Sequence, residues 1–318
     1  MKAIRGVWGF LLAITVTAAA AQPSSGVVRV VVPFAAGGVQ DIVARSFNAE
    51  LGAALGRTVI VENRPGAGGT IGNASVARSA PDGGTLLLAA ASHTITGHVY
   101  AKLPYHPIDD FTPIAHIGNV DYVLMISAAV PARNIREFIE YAKANPGKLN
   151  YASAGNGSAT HLSMAYFAGL AGLDMVHVPF KATGEAVNEV LAGRAHAVIA
   201  ANIGAIPFAK DARIRMLGTT GRKRSKFLPE LPAIDESLPS YEFDSWIGLL
   251  GPAAMPKAMV ESINAAVATL LKDPAILDRL DRQGVVPRAM TPGDFSSLLK
   301  NDFAKMAKVV KASGARID

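Results

Sequence analysis

The chain has 318 residues, half of them hydrophobic and 18% charged, with no cysteine and a formal net charge of +6. At roughly 100–200 residues per domain it holds one large domain or two of ordinary size, enough to bury a core without covalent staples. The missing thiols exclude a disulfide framework, a zinc finger, a thiol nucleophile, an iron–sulfur cluster and a lipidated N-terminal cysteine. A mild positive excess that is not clustered on one face is no nucleic-acid footprint.

Lys2 and Arg5 precede an uncharged run from Gly6 to Ala21 that ends in small residues before Gln22-Pro23. Charged start, short apolar stretch and Ala-x-Ala exit make residues 1–21 a cleavable secretory signal peptide. The run is shorter and more Ala/Thr-rich than the about 20 predominantly apolar residues of a membrane anchor. Its removal takes two positive charges and leaves about +4 on a soluble, non-lipidated mature protein. Export without cysteines fits a bacterial periplasm.

The mature sequence then alternates strand-like and helix-like segments. Val27 to Phe34 is a β-branched run expected in a strand buried on both faces of a parallel sheet. Asp41 to Leu55 sets Val43, Phe47, Leu51 and Leu55 on one helical face. Strands follow at Thr58–Val61, Thr85–Ala89, Ile114–Ile117 and Val123–Ser127. Asn134 caps a helix that Pro146-Gly147 stops after Ala144. Leu149–Ser153 is a strand and Leu162–Leu170 a helix, and strands at Met175–Val178, Ala197–Ala201 and Ile214–Leu217 complete a second set. After Trp246–Leu250 come helices near 257–272, 274–283 and 293–313. The order is α/β with crossover helices between parallel strands. Each half opens with a strand, a small-residue loop and a helix, which makes two lobes with one cleft the simplest architecture. Ser127 to Pro131 reads as the crossover between lobes and Ser245-Trp246 as the return.

The first loop, Phe34-Ala35-Ala36-Gly37-Gly38-Val39-Gln40-Asp41, lies at the carboxyl end of a buried strand and leads into a helix. In open α/β sheets ligands bind there. Gly37 and Gly38 let the backbone approach a ligand, and first-turn N–H groups favour an anion. Asp41 serves as an N-cap or as a ligand contact. The second loop, Ser153-Ala154-Gly155-Asn156-Gly157-Ser158-Ala159-Thr160-His161, has the same layout with more hydroxyls and amides. Together the two loops can aim helix ends at one anion from both sides. Gly66-Ala67-Gly68-Gly69-Thr70-Ile71-Gly72 does not fit a dinucleotide fingerprint, because Ile71 stands where the third glycine is required. The seven histidines show no metal spacing, and no cofactor is expected. His93 and His161 fall in strand-to-helix loops where they can hydrogen-bond a ligand. No serine sits in G-x-S-x-G, and Arg222-Lys223-Arg224-Lys226 reads as a solvated loop.

At these residues the sequence resembles the periplasmic solute receptors of tripartite tricarboxylate transporters, the Bug receptors. The resemblance spans the mature chain. It is carried by Val32-Pro33-Phe34-Ala35-Ala36-Gly37-Gly38 with Asp41, by Val61-Glu62-Asn63-Arg64-Pro65-Gly66-Ala67-Gly68-Gly69-Thr70 and by Ala80-Pro81-Asp82-Gly83. Lys102-Leu103-Pro104-Tyr105, Asn145-Pro146-Gly147-Lys148-Leu149-Asn150-Tyr151-Ala152-Ser153-Ala154-Gly155-Asn156-Gly157 and His177-Val178-Pro179-Phe180-Lys181 add to it. It implies a two-lobed, type II-like Venus-flytrap fold. Lobe one would take residues 22–123 plus 245–318 and lobe two residues 124–244. It further implies a small organic acid as ligand, membrane permease subunits as partners, no enzymatic activity and a monomer. The two loops, with Thr70, Ser92, His93, Ala201 and Asn202, form the candidate ligand site. Two departures bear on the ligand. The family commonly has a small residue and a hydroxyl where Val39-Gln40 stands, and a Phe-Asp pair where Ala201-Asn202 stands. Loss of a carboxylate at 202 removes a partner for a ligand ammonium and favours a plain carboxylate over an acidic amino acid. A receptor feeding a sensor kinase, or a periplasmic α/β enzyme, remains as an alternative.

Overall fold

The computed structural model describes residues 26–243 and 245–313, so the expected signal peptide at 1–21 lies outside the described residues. The chain opens with β1 (Val27–Val32), α1 (Val39–Leu55), β2 (Thr58–Asn63), α2 (Thr70–Ala77), β3 (Thr85–Ala90), α3 (Ser92–Val99) and β4 (Phe111–Val120). It continues through β5 (Tyr122–Ser127), α4 (Ile135–Ala144), β6 (Leu149–Ser153), α5 (Ala159–Ala171), β7 (Met175–Pro179), α6 (Thr183–Leu191), β8 (Ala197–Ala201), a single turn α7 (Asn202–Ala205) and β9 (Ile214–Thr219). It ends with β10 (Ser245–Pro252), α8 (Lys257–Leu270), α9 (Pro274–Arg282), β11 (Val285–Pro287) and α10 (Pro292–Ser313).

Two sheets result, ordered β11-β4-β10-β3-β1-β2 and β7-β6-β8-β5-β9. Their helices complete the two-lobed α/β fold read from the sequence. The sheets are mixed, however, not parallel throughout. β1 pairs parallel with β2 and β3, but β10 runs antiparallel to β3 and β4, and β11 antiparallel to β4. In the second sheet β5 is antiparallel to β8 and β9. The reason is connectivity. β10 returns from the other lobe instead of through a crossover helix, so nothing forces it to run parallel.

β1 is VVRVVV, whose stiff branched side chains suit a pleated strand covered on both faces. It stops at Val32, short of Phe34, because Pro33 has no N–H to offer the ladder. α1 buries Val43, Phe47 and Leu51 and terminates at Gly56 in the left-handed region, φ 62°. Asn134 caps α4 as expected, its side chain accepting from Glu137 N. Three helices, α2, α3 and α6, were not apparent from the sequence; α2 is small-residue-rich and α3 is buried nearly all round, whereas α6 buries Ala186, Val187 and Val190 on one face.

The chain passes from the first sheet to the second at Asp121, the single residue between β4 and β5, and returns between β9 and β10. The stretch 127–131 is therefore not the crossover; it is a turn between β5 and α4, closed by Val130 N donating to Ser127 O. The two crossings are laced together. Tyr122 N donates to Thr220 Oγ1 at 3.0 Å, Thr220 N to Tyr122 O and Phe243 N to Thr220 O. α10 is fixed to the first sheet by Asp302, which accepts from Thr94 Oγ1 and Trp246 Nε1 (2.5 and 2.9 Å). No helix among the described residues is long and apolar enough to cross a membrane.

Candidate anion site between the sheets

The β1–α1 loop is held from behind. Gly37 takes φ +83°, a conformation open to glycine, and its N–H donates to Asp41 Oδ2 at 2.9 Å. α1 starts two residues earlier than expected, with Gly38 as N-cap. Asp41 thus sits in the first turn, where its carboxylate reaches back to the loop as the acidic half of a capping box does. Arg45 Nε binds its other oxygen at 2.9 Å, and Asn63 Nδ2 holds Phe34 O at 3.0 Å. Burial alone would raise the Asp41 pKa, but Gly37, Asn63 and Arg45 together bring it below the ordinary value. Asp41 is not the N-cap, which is Gly38; it holds the loop in position and is not among the residues lining the cleft.

The β6–α5 loop is built more elaborately. Gly155 and Gly157 have φ +107° and +73°. Ser158 caps α5, its side chain accepting from His161 N. Thr160 Oγ1 accepts from Ala154 N at 2.8 Å, Ser153 Oγ from Gly155 N at 3.1 Å, and His161 Nδ1 from Gly157 N at 3.2 Å. The His161 ring lies flat against His177, 3.9 Å between centroids, and His177 Nε2 meets Ser153 Oγ at 2.6 Å. Burial, with His177 alongside, lowers the His161 pKa to about 3, and burial lowers His177 to about 4. Both rings are neutral at pH 7, as acceptance of the Gly157 N–H by Nδ1 requires. His161 supports the loop from below.

Between these loops lies a narrow cleft with a cavity volume of about 50 Å³. Phe34, Ala35, Gly38, Val39 and Gln40 line it from the first loop, and Ala154, Ser158, Ala159 and Thr160 from the second. Ser92 at the start of α3 and Ala201 at the end of β8 also border it. The sequence did not single out Tyr122, Lys181, Ala182 or Thr183, which close the remaining wall. Four helices, α1, α3, α5 and α6, thus bring their N-terminal first turns to one space. The first N–H groups of a helix have no acceptor within it, and its dipole places partial positive charge there. Among the described residues lining the cleft, Lys181 is the charged one and none is acidic. The arrangement is chemically an anion trap, with an apolar contribution from Phe34, Val39 and Tyr122.

The other expected site residues sit elsewhere. Ala36 and Gly37 border an adjoining space, described below. Thr70, Ser153, Gly155, Asn156 and Gly157 are not among the residues lining the cleft, although Ala154 and Ser158 of the same loop are. His93 is buried inside lobe one, not in a loop. Its Nε2 is 2.7 Å from Pro107 O, its ring packs on Phe111, and burial lowers its pKa to about 4. Asn202 is also fully buried and turned away: Nδ2 donates to Gly284 O at 2.8 Å and Oδ1 accepts from Ile203 N. It joins the end of β8 to the turn before β11 and is not among the residues lining the cleft. Of the basic run, Arg222 pairs with Glu242 and Arg224 with Glu236 on the surface. No cluster of three or more metal-ligating side chains occurs among the described residues.

A two-lobed α/β fold with helix ends converging on a cleft defines the class of periplasmic binding proteins. Within it, the profile of the tripartite tricarboxylate transporter family receptor matches residues 43–315, and the chain belongs to this family. The periplasmic binding protein BugD is similar in structure, with 32% identity, a TM-score of 0.83 and coverage of 91% of this chain and 98% of that one. R. palustris Rpa4515 with adipate gives 31% identity and a TM-score of 0.85 over 91% and 98%. MatC from Rhodopseudomonas palustris with bound malate gives 31% and 0.82 over 89% and 98%.

Proposed function

We propose that the protein is an exported periplasmic receptor that closes two lobes over a small carboxylate and presents it to the membrane permease of a tripartite transporter. The lobes are taken as residues 22–123 with 245–318, and 124–244, after removal of residues 1–21. The observation that carries this reading is the meeting of four helix N-termini and Lys181 around one cleft, with no acidic side chain among the described residues that line it. A carboxylate accepts hydrogen bonds at two oxygens and is stabilised by each helix end it faces. The adipate and malate held by two similar proteins are of the same chemical class. Ser153 Oγ stands 2.6 Å from His177 Nε2, but this serine is fully buried and is not among the residues lining the cleft, so the ligand is read as held and released unchanged.

The test is native mass spectrometry of the mature protein purified without refolding, followed by calorimetric titration with a panel of carboxylates. A co-purified acid, or saturable binding of at least one panel member, supports the reading. Saturable binding of neutral or cationic solutes with none by any acid refutes it.

A further inference from the structure

The cleft does not end at the helix termini. Gly38 and Val39 on one side, and Ala182 and Thr183 on the other, border both the anion site and a second space that opens beyond them. This vestibule has a cavity volume of about 370 Å³ and a different chemistry. Its walls are Ile42 from lobe one with Val187, Asn188, Ile203, Pro207 and Phe208 from lobe two, and no charged side chain is among the described residues that line it. Ile42, Ile203 and Phe208 remain partly exposed there. Half-exposed apolar side chains that face one another across a ligand cleft mark a surface awaiting an apolar partner. Continuity with the anion site says what that partner is attached to.

We infer that the ligand is an amphipathic organic acid: its carboxylate meets the helix ends, and an unbranched alkyl or aryl tail passes between Val39 and Thr183 into the vestibule. The inference rests on the carboxylate reading above and narrows it. A second carboxylate at the far end of the molecule would stand among Ile42, Ile203 and Phe208 without a cation, so a diacid of the same length is the poorer ligand. Both lobes contribute walls, so the tail also adds contacts that exist only when the lobes are together.

The experiment is isothermal titration of the mature protein with butanoate, hexanoate and octanoate, and with adipate and hexan-1-ol as matched controls. Affinity rises about two- to fourfold per added methylene, the increment of burying CH₂ groups, and hexanoate binds more tightly than both adipate and hexan-1-ol. Ile203→Ser and Phe208→Ser, two independent changes at partly exposed positions, each flatten the rise with length. Ile71→Ser, exposed on lobe one away from the cleft, preserves it. Affinity independent of length, with adipate equal to or better than hexanoate, overturns the tail site and leaves the carboxylate site standing. A length dependence untouched by either cleft variant places the tail elsewhere and overturns it as well. Equal binding of hexan-1-ol and hexanoate, or none by any acid, fails the carboxylate reading itself.

Discussion

Gly68 offers a way to perturb lobe closure without touching a ligand. It lies in the loop before α2 with φ +64°, and a Cβ placed on it would stand 2.6 Å from Asn156 O and 3.1 Å from Tyr100 Oη. Asn156 belongs to the β6–α5 loop of the opposite lobe, so this is a backbone contact that forms when the lobes meet. Gly68→Ala carries two costs. The left-handed backbone costs about 1–2 kcal/mol whether the lobes are open or closed, and affects stability alone. The clash with a carbonyl that cannot rotate away costs about 1–3 kcal/mol and falls on the closed state. By population shift, that differential cost weakens apparent affinity about five- to 150-fold. Gly56→Ala is the matched control: φ is +62°, but nothing lies within 4 Å of the added methyl. Both variants should lose similar thermal stability, whereas only Gly68→Ala should lose affinity in calorimetry and closure in ligand-dependent small-angle scattering. Equal affinities for the two variants would show that the Gly68–Asn156 contact has no part in closure.

Gly38→Val places a side chain in the cleft at a residue whose backbone tolerates it, with φ −75° and the nearest atom 3.4 Å away. It should reduce affinity at least tenfold with a melting temperature near that of the parent, and unchanged affinity would remove this loop from the site. Lys181→Met should weaken binding of acids about three- to tenfold at low ionic strength and less at high salt, as screening of an exposed charge requires; an effect independent of salt would contradict the role. Asn202→Ala leaves Gly284 O without its buried donor, so denaturant unfolding should show a loss of about 1–3 kcal/mol. No loss would mean that Gly284 O finds another partner. Stability should also fall with acid. His93 and His161 have folded pKa values of about 4 and about 3, below the ordinary 6.5 of the unfolded chain. Between about pH 6.5 and pH 4 the unfolded state binds more protons, so each residue removes about 1.4 kcal/mol of stability per pH unit as pH drops through that window. Urea midpoints that stay flat from pH 7 to pH 5 would mean that the rings are not neutral and buried.

The sequence revealed those features that depend on local pattern. The β-branched run at Val27–Val32, the four-residue spacing of Val43, Phe47 and Leu51, and the Asn134 cap each record a neighbour-to-neighbour preference. So do the two glycine loops, which lie where they were expected. Strand direction was not legible, because Ser245–Pro252 has the same buried pattern whichever way it runs. His93 misled for a related reason: a lone histidine after a strand looks the same whether it faces a cleft or, as here, packs on Phe111. Lys181, Ala182 and Thr183 were missed although Pro179-Phe180-Lys181 had been noticed. They enter the site because the second sheet stacks β7 beside β6 and so carries the start of α6 alongside the start of α5. A third instance of strand, short loop and helix was the available clue. Asn202 shows the limit of reasoning by position, since it directly follows Ala201, which borders the cleft, while its own side chain braces Gly284.

The place of β10 has a consequence for the order in which the molecule can be assembled. It is fully buried, and it alone joins β3 to β4 in the first sheet. A nascent chain that has reached residue 244 holds every strand of the second sheet, but the first is still divided, with β1, β2 and β3 on one side and β4 on the other. Its most hydrophobic edges wait for a segment more than a hundred residues downstream. Long-range pairing of this kind is slow, so lobe two can condense early while lobe one stays open until almost the entire polypeptide is available. Under the export proposed above, a late-arriving central strand would act as a built-in delay against premature folding.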